Sequence, residues 1–461
     1  MNEITTARAP AETFGGRRRH RRPKPMTAAT RRALVLVTAA PVAGVMLAGP
    51  SAYAAENPGT ATPPVPAPDS DSSAQPAAAS SEQKLIDNLN TRINDPRLGN
   101  TFSGVVLDSA SDKVIWGHNA STALMPASNA KLATATAALT VLGPEHRFTT
   151  KVVYGNGTLT LIGGGDRTLT TDDLAELAKT AVAGLKSAGV DNVKVRVDDS
   201  LFPEPALAHG WNDGYYPDTV APVRALAVDG RHVTDTSLDA GKVFAQHLAA
   251  DGITVDGEAT RGRAERTDVP VARHKSPRLA DIVHRMLKSS DNNIAETLLR
   301  MTALGAGRPA TFDDGTAVVR HELRKYGVPL DNVQLHDGSG LSRASRIPAA
   351  TLAALLDLPT DPRYARTLGA VLDGLPVAGE AGATLSTETG RFDDPDSRCA
   401  VGKVRAKTGT LTGAVALSGL TKGDDGKWKI FSFVENNSTA QMSATKDALD
   451  GLAATVNGCR A

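Results

Sequence analysis

Leu85, Leu89 and Ile93 recur at every fourth position, which places them on one face of a helix entering the folded region. Two short β runs follow, 103–107 and 113–116, joined by the polar turn Asp108-Ser109-Ala110-Ser111-Asp112. Leu132, Ala135, Leu139 and Leu142 trace a second helix, rich in Ala and Leu and therefore buried, with Pro126 just ahead of its first turn. Leu279, Ile282, Val283, Met286 and Leu287 match the helical template at every step, and Ile294, Ala295 and Leu298 resume it after a polar break. Three strands are predicted near the end, 403–411, 414–421 and 429–434; the last two are joined through Asp424-Asp425-Gly426, so an antiparallel sheet is expected. Residues 438–455 predict a final helix with Ser438 as N-cap and Ala448, Leu449 and Leu452 inward.

The stretch 149–273 is too long for a simple connection and has strand and helix patterns of its own, so it predicts an inserted smaller domain within a catalytic domain made of 83–148 and 274–461. Its Gly163-Gly164-Gly165-Asp166 is followed by no G-K-[ST], and reads as a tight strand-to-helix turn rather than a phosphate loop. The first 82 residues differ in kind. A basic cluster at Arg17-Arg18-Arg19-His20-Arg21-Arg22, a 16-residue apolar run over 33–48 and the small-residue site Ala52-Tyr53-Ala54 predict a signal peptide over 1–54. The run is shorter than the roughly 20 residues of a spanning helix, which disfavours a retained anchor. Residues 55–82, rich in Ala, Pro and Ser, predict a disordered linker.

Composition adds limits. With 41% apolar residues the chain can build a substantial core. Cleavage after Ala54 would remove nine of the 51 Lys/Arg and two of the 50 Asp/Glu, leaving a net charge of −6, so nucleic acid is not an expected partner. Cys399 and Cys459 are the only cysteines and fall in the exported part, where a disulfide between them is expected. The ten histidines show no metal-binding spacing, and neither a metal nor another cofactor is expected.

Three S-x-x-K sequences occur, at Ser81–Lys84, Ser128–Lys131 and Ser443–Lys446. Only the second is followed by both Ser290-Asp291-Asn292 and Lys407-Thr408-Gly409, and this ordered triple is the signature of an acyl-enzyme serine served by a lysine. Residues three apart on a helix share a face, so the Lys131 ammonium can reach the Ser128 hydroxyl. To accept a proton near pH 7 that lysine must be depressed by about 3 pH units, through burial and the nearby Lys407. Ser290 is expected to relay the proton to the leaving amine and Asn292 to bond the substrate amide or the lysine. Lys407, Thr408, Gly409 and Thr410 are expected to line the cleft edge and hold a terminal carboxylate, with the N–H groups of Ser128 and Thr410 as oxyanion hole.

Together with Leu161-Ile162-Gly163-Gly164-Gly165-Asp166, Ser276-Pro277-Arg278-Leu279, the extension Asn293-Ile294-Ala295-Glu296 and Asp337-Gly338-Ser339-Gly340-Leu341-Ser342-Arg343, these motifs resemble those of the D-Ala-D-Ala carboxypeptidase/endopeptidase branch of the low-molecular-mass penicillin-binding proteins, peptidase family S13. The resemblance runs from about residue 83 to the end. It implies an α+β, serine β-lactamase-like transpeptidase fold: a helix-flanked, five-stranded antiparallel sheet with one inserted smaller domain. It also implies hydrolysis of peptidoglycan stem peptides, acylation by β-lactams, and an extracytoplasmic, secreted or wall-associated location with at most a loose hold on membrane or wall.

Two departures stand out. A third domain, often nested in the insertion of relatives, has no room between Asp229 and the pattern of Phe244, Leu248 and Ile253. The Trp-x-x-Asp-like stretch that reads the stem peptide's third residue in relatives is only approximated by Trp211-Asn212-Asp213, with Asp213 the candidate specificity residue. The rival enzymatic reading, a class A β-lactamase, has a short first-to-second motif connection and a glutamate-activated deacylation water. A non-catalytic penicillin-sensing or wall-binding module would not need Ser128, Lys131 and Lys407 together.

Overall fold

The computed structural model describes residues 74–459; the expected signal peptide and most of the linker lie outside them. Helix α1 spans Ala74–Arg92, so the final residues of the expected linker are helical. The run Ala77-Ala78-Ala79 has the best helix propensity available and extends a helix anchored further on by buried Leu89. Strands β1 (Phe102–Asp108) and β2 (Lys113–His118) form the first hairpin. Short β3 (Ala123–Leu124) then leads through a 3-10 turn, Ala127–Ala130, into α2 (Lys131–Leu142).

The chain next builds a second sheet: β4 (Thr149–Gly155), β5 (Thr158–Ile162), α3 (Thr171–Ser187), β6 (Asn192–Asp198), α4 (Thr236–Ala250), β7 (Thr254–Val255), β8 (Thr260–Arg261) and β9 (Val269–Lys275). Parallel neighbours need a crossover, and α3 and α4 supply it between β5 and β6 and between β6 and β7. Entry strand β4 lies antiparallel beside exit strand β9, which returns the chain next to where it left. The glycine run 163–165 is a strand-to-helix turn, as its sequence suggested, and close packing explains its composition. A Cβ on Gly164 would stand 2.0 Å from the Thr149 carbonyl oxygen, and one on Gly163 would stand 2.6 Å from that of Ala225.

Helices α5 (Leu279–Ser289), α6 (Asn292–Gly305) and α7 (Phe312–Lys325) follow, then β10 (Ile347–Pro348), α8 (Ala349–Asp357) and α9 (Pro362–Asp373). Strands β11 (Arg405–Leu411), β12 (Ala414–Lys422) and β13 (Trp428–Asn436) and helix α10 (Met442–Val456) complete the chain. The first sheet is five-stranded, antiparallel throughout, in the order β11-β12-β13-β1-β2. Its two faces are buried differently. One carries Ala416, Leu420, Ile430 and Val434 against α2, α5 and α8; the other packs Val415, Leu417, Phe431 and Phe433 with Leu89 and with Leu449 and Leu452 of α10. This alternation along β12 and β13 follows from the period of two in a strand.

The last helix begins later than expected. Gln441, not Ser438, occupies its N-cap position; Ser438 sits in a turn ahead of it, its hydroxyl accepting the Ala440 N–H at 3.1 Å and donating to the Arg97 carbonyl at 2.8 Å, and its N–H bonding the Glu435 carboxylate. Cys399 and Cys459 are joined, 60 residues apart, tying the end of the chain to the segment that precedes β11. Closing a loop of that length contributes about 4 kcal/mol in the chain-entropy treatment. Cys399→Ser is therefore expected to lower unfolding free energy by about 2–5 kcal/mol, measured by denaturant titration, with reductant having no further effect on the variant.

Candidate active site

The position of Ser128, the candidate nucleophile, is set by an uncomfortable backbone. Ala127 has φ 46°, a left-handed conformation that L side chains avoid, and Ser128 lies in the 3-10 turn immediately after it. Ser128 is expected at or near the N-terminus of a helix, and the structure places it there, in the turn that runs directly into α2 at Lys131. Asn436 holds the approach from the far end of β13, accepting the Met125 N–H at 2.8 Å and donating to its carbonyl at 3.2 Å. Gly340 faces the same turn with φ 81°, and a Cβ there would stand 1.9 Å from the Ala127 carbonyl oxygen. Only glycine fits both demands.

Lys131 is wholly buried, and its Nζ donates to Ser128 Oγ at 2.9 Å, Asn292 Oδ1 at 2.8 Å and the Ser339 carbonyl at 2.8 Å. Three acceptors fill the three donor directions of an ammonium. Burial lowers this lysine to about 8, with Asp337, Glu296 and Asp291 pulling the other way. Burial and the cation of Lys407 are both expected to depress it; burial leads, and these carboxylates hold the shift to less than the expected size.

The second motif links α5 and α6. Ser290 takes a left-handed conformation, φ 60°, as the C-cap of α5, and Asp291 caps α6 by accepting the Ile294 N–H at 2.9 Å. Asn292 Nδ2 donates to the Thr219 carbonyl at 2.9 Å, so this side chain bridges Lys131 to the segment that leaves the second sheet. Ser290 is found beside Lys407, whose Nζ donates to its Oγ at 3.0 Å. Lys407 is fully buried rather than open at the cleft edge. Burial first, then the cations of Lys131 and Arg391, push it well below the ordinary lysine range.

Strand β11 is an edge strand, and alternation splits the third motif between its faces. Gly409 faces the nucleophile turn; a Cβ there would meet Asn129 Nδ2 and the Pro126 carbonyl, each at 2.8 Å. Thr408 donates to Thr384 Oγ1 at 2.9 Å, while Thr410 is exposed at the rim. Neither amide atom of buried Asn129 has a hydrogen-bond partner among the described residues. Asp213 lies on an exposed 3-10 turn, Asp213–Tyr215. Its neighbour Trp211 is the residue tied inward, donating Nε1 to Asp337 Oδ2 at 2.7 Å. The other two S-x-x-K sequences lie on α1 and α10, where Lys84 and Ser443 are exposed.

The chain as a whole has relatives among known proteins. Residues 85–234 and 230–456 match the D-Ala-D-Ala carboxypeptidase 3 (S13) family. The chain belongs to that family. Carboxypeptidase DacB of Mycolicibacterium smegmatis is 32% identical over 464 residues, covering 92% of this chain and 95% of the relative. A D-alanyl-D-alanine carboxypeptidase of an Actinomadura species is 29% identical over 463 residues, covering 79% and 84%. Penicillin-binding protein 4 of Haemophilus influenzae shares the fold, with TM-score 0.66 at 23% identity over 79% of this chain and 98% of that one.

Within this S13 site, sequence motifs located Ser128, Lys131, Ser290, Asn292 and Lys407. They did not reveal that Ser339 acts through its carbonyl or that Glu296 and Asp337 lie under the lysine. The paired glycines of 338–340 were the available signal, since a turn pressed against other backbone needs them. A lysine accepts a proton only when neutral, so with Lys131 as the candidate base the second-order rate of acylation by benzylpenicillin is expected to rise with pH and level off above about 8. Stopped-flow measurement from pH 6 to 9.5 checks the limb.

Proposed function

We infer that this S13 member is a serine D-Ala-D-Ala carboxypeptidase acting on peptidoglycan stem peptides outside the cytoplasm, and that Ser128 forms its acyl-enzyme. The observation that carries the residue assignment is the 2.9 Å bond between Lys131 Nζ and Ser128 Oγ in a site where the lysine is depressed. Neutral Lys131 takes the Ser128 proton as the oxygen attacks the carbonyl of the penultimate D-Ala. Negative charge develops on the carbonyl oxygen and is received by the N–H groups of Ser128 and Thr410, an arrangement often worth several kcal/mol. The C–N bond then breaks, and the proton taken up by Lys131 is returned to the departing D-Ala amine through the Ser290 hydroxyl, which Lys407 holds, so that both Lys131 and Ser290 are restored. Water hydrolyses the ester by the reverse sequence. The same steps cleave a peptide crosslink, so the chemistry serves endopeptidase turnover as well. β-Lactams enter as acylating analogues of the D-Ala-D-Ala bond. Among the described residues no helix is long and apolar enough to cross a membrane.

The two buried lysines share a constraint: neither is comfortable charged while the other is. A substrate carboxylate at the Thr408–Thr410 edge favours the cation on Lys407, and like-charge repulsion then favours neutral Lys131. The carboxylate thus acts on chemistry as well as on binding.

Mass spectrometry after penicillin treatment should place one adduct on the peptide containing Ser128; an adduct on Ser81, Ser339 or Ser443 overturns the assignment. Free D-Ala release against crosslink cleavage, assayed on muropeptides, separates the two activities. A peptide ending in D-Ala amide should react at least about tenfold more slowly than the acid, since losing the charge weakens a charge-assisted bond by about 1.4 kcal/mol or more. Lys407→Ala should lose most of that discrimination; equal rates on acid and amide in the wild type would place carboxylate recognition elsewhere.

A further inference from the structure

Beneath Lys131 lies a charge system that the steps above leave unused. Glu296 follows Asn292 by one turn of α6, so both side chains occupy the same face of the helix. Its carboxylate is wholly buried and accepts the Gly338 N–H at 3.1 Å on both oxygens and the Ser339 N–H at 2.7 Å. The carbonyl of that same Ser339 accepts Lys131 Nζ. Asp337 closes the other side of the turn, accepting from Gly340 N–H at 3.1 Å, Ser342 N–H at 2.7 Å and Trp211 Nε1. Thr134 of α2 donates to the Gly338 carbonyl at 2.7 Å, so the turn is fixed from three elements.

We propose that Glu296 is a positioning residue which aims the Ser339 carbonyl at Lys131 and sets how readily that lysine gives up its proton. The proposal rests on Lys131 being the base for Ser128. Carboxylates on the two sides of one buried turn each disfavour ionisation of the other. Burial and then Asp337 raise Glu296 to about 7, and burial raises Asp337 as well. The groups facing Glu296 are Asp337 from the turn, Arg300 from the next turn of α6, Tyr216 from the segment after Trp211, and Lys131 from α2. Arg300 lies over the Phe312 ring, 3.6 Å from its centroid, and its charge moderates the rise of Glu296. Lys131 also faces Asp291 and, across the cleft, Lys407.

The sign follows from charge. An ionised Glu296 favours the charged, inactive form of Lys131, so removing that charge releases the lysine proton at lower pH. As the wild type is taken upward through about 7, Glu296 ionises and opposes deprotonation of the base, which makes the activity limb shallower than a single titration.

The experiment compares acylation pH profiles of wild type, Glu296→Gln and Glu296→Asp. Glu296→Gln should shift the acid limb down by about one pH unit and steepen it, with a plateau lowered about tenfold because the Ser339 carbonyl is less well held. Glu296→Asp keeps the charge and should keep the limb where it is while lowering the plateau. A Glu296→Gln profile that falls equally at every pH, or is unchanged, overturns the proposal. Should Glu296→Gln fail to fold, infrared difference spectroscopy of wild type against Glu296→Asp decides: the carboxylic-acid band at about pH 6 must differ between the two, because Glu435 and Asp357, whose carboxyls are also raised, are common to both. Identical bands overturn the proposal. Lys131→Arg separates the two levels, because near-wild-type acylation in that variant removes the base assignment itself, whatever Glu296 does.

Discussion

The removal of the Lys131 ammonium from water is the condition on which the rest of the site depends. A buried lysine with no partners would simply shed its proton and lose its place; one with too many anions around it would never shed it. The structure lies between, with three neutral oxygens in direct contact and carboxylates one residue further away. Each acceptor comes from a different element: the nucleophile turn, the head of α6 and the 337–340 turn. Bringing them together requires the sheet and its helices to be in place first, so the reactive group is a product of the tertiary fold rather than of any local segment.

The second sheet is joined to this centre more closely than an appended module would be. The segment leaving it holds Asn292 through the Thr219 carbonyl, holds Asn293 through the Ala221 N–H, and supplies Trp211 to Asp337. Arg285 of α5 forms a two-pronged ion pair with Asp229 just before α4. Such contacts transmit any shift of this segment to the groups around the base.

Much of this was readable from the sequence. Strand alternation gave the closing hairpins of the first sheet, and strict helical spacing gave α5 and the resumption in α6. The three motifs named the residues that meet at Ser128. What escaped were features with no periodic signal: the carbonyl of Ser339, the burial of the Glu296 carboxylate on the α6 face it shares with Asn292 and Arg300, and the burial of Lys407. Ser438 misled for the opposite reason. Its hydroxyl oxygen does accept the Ala440 N–H at 3.1 Å in a local turn, while its proton goes to the Arg97 carbonyl, but the chain enters the helix only at Met442. Local rules state what a residue can do; tertiary contacts decide which of those it does.

The left-handed conformation at Ala127 has a consequence for how this protein can change over time. Holding a non-glycine residue there costs on the order of 1–3 kcal/mol, and the surrounding packing must over-determine it. Random drift toward greater stability would readily discover glycine at this position, since glycine adopts the same angles freely. Yet a glycine would also permit other angles, and the serine that follows would sample them. The alanine therefore trades backbone strain for a narrower range of angles at the serine beside it.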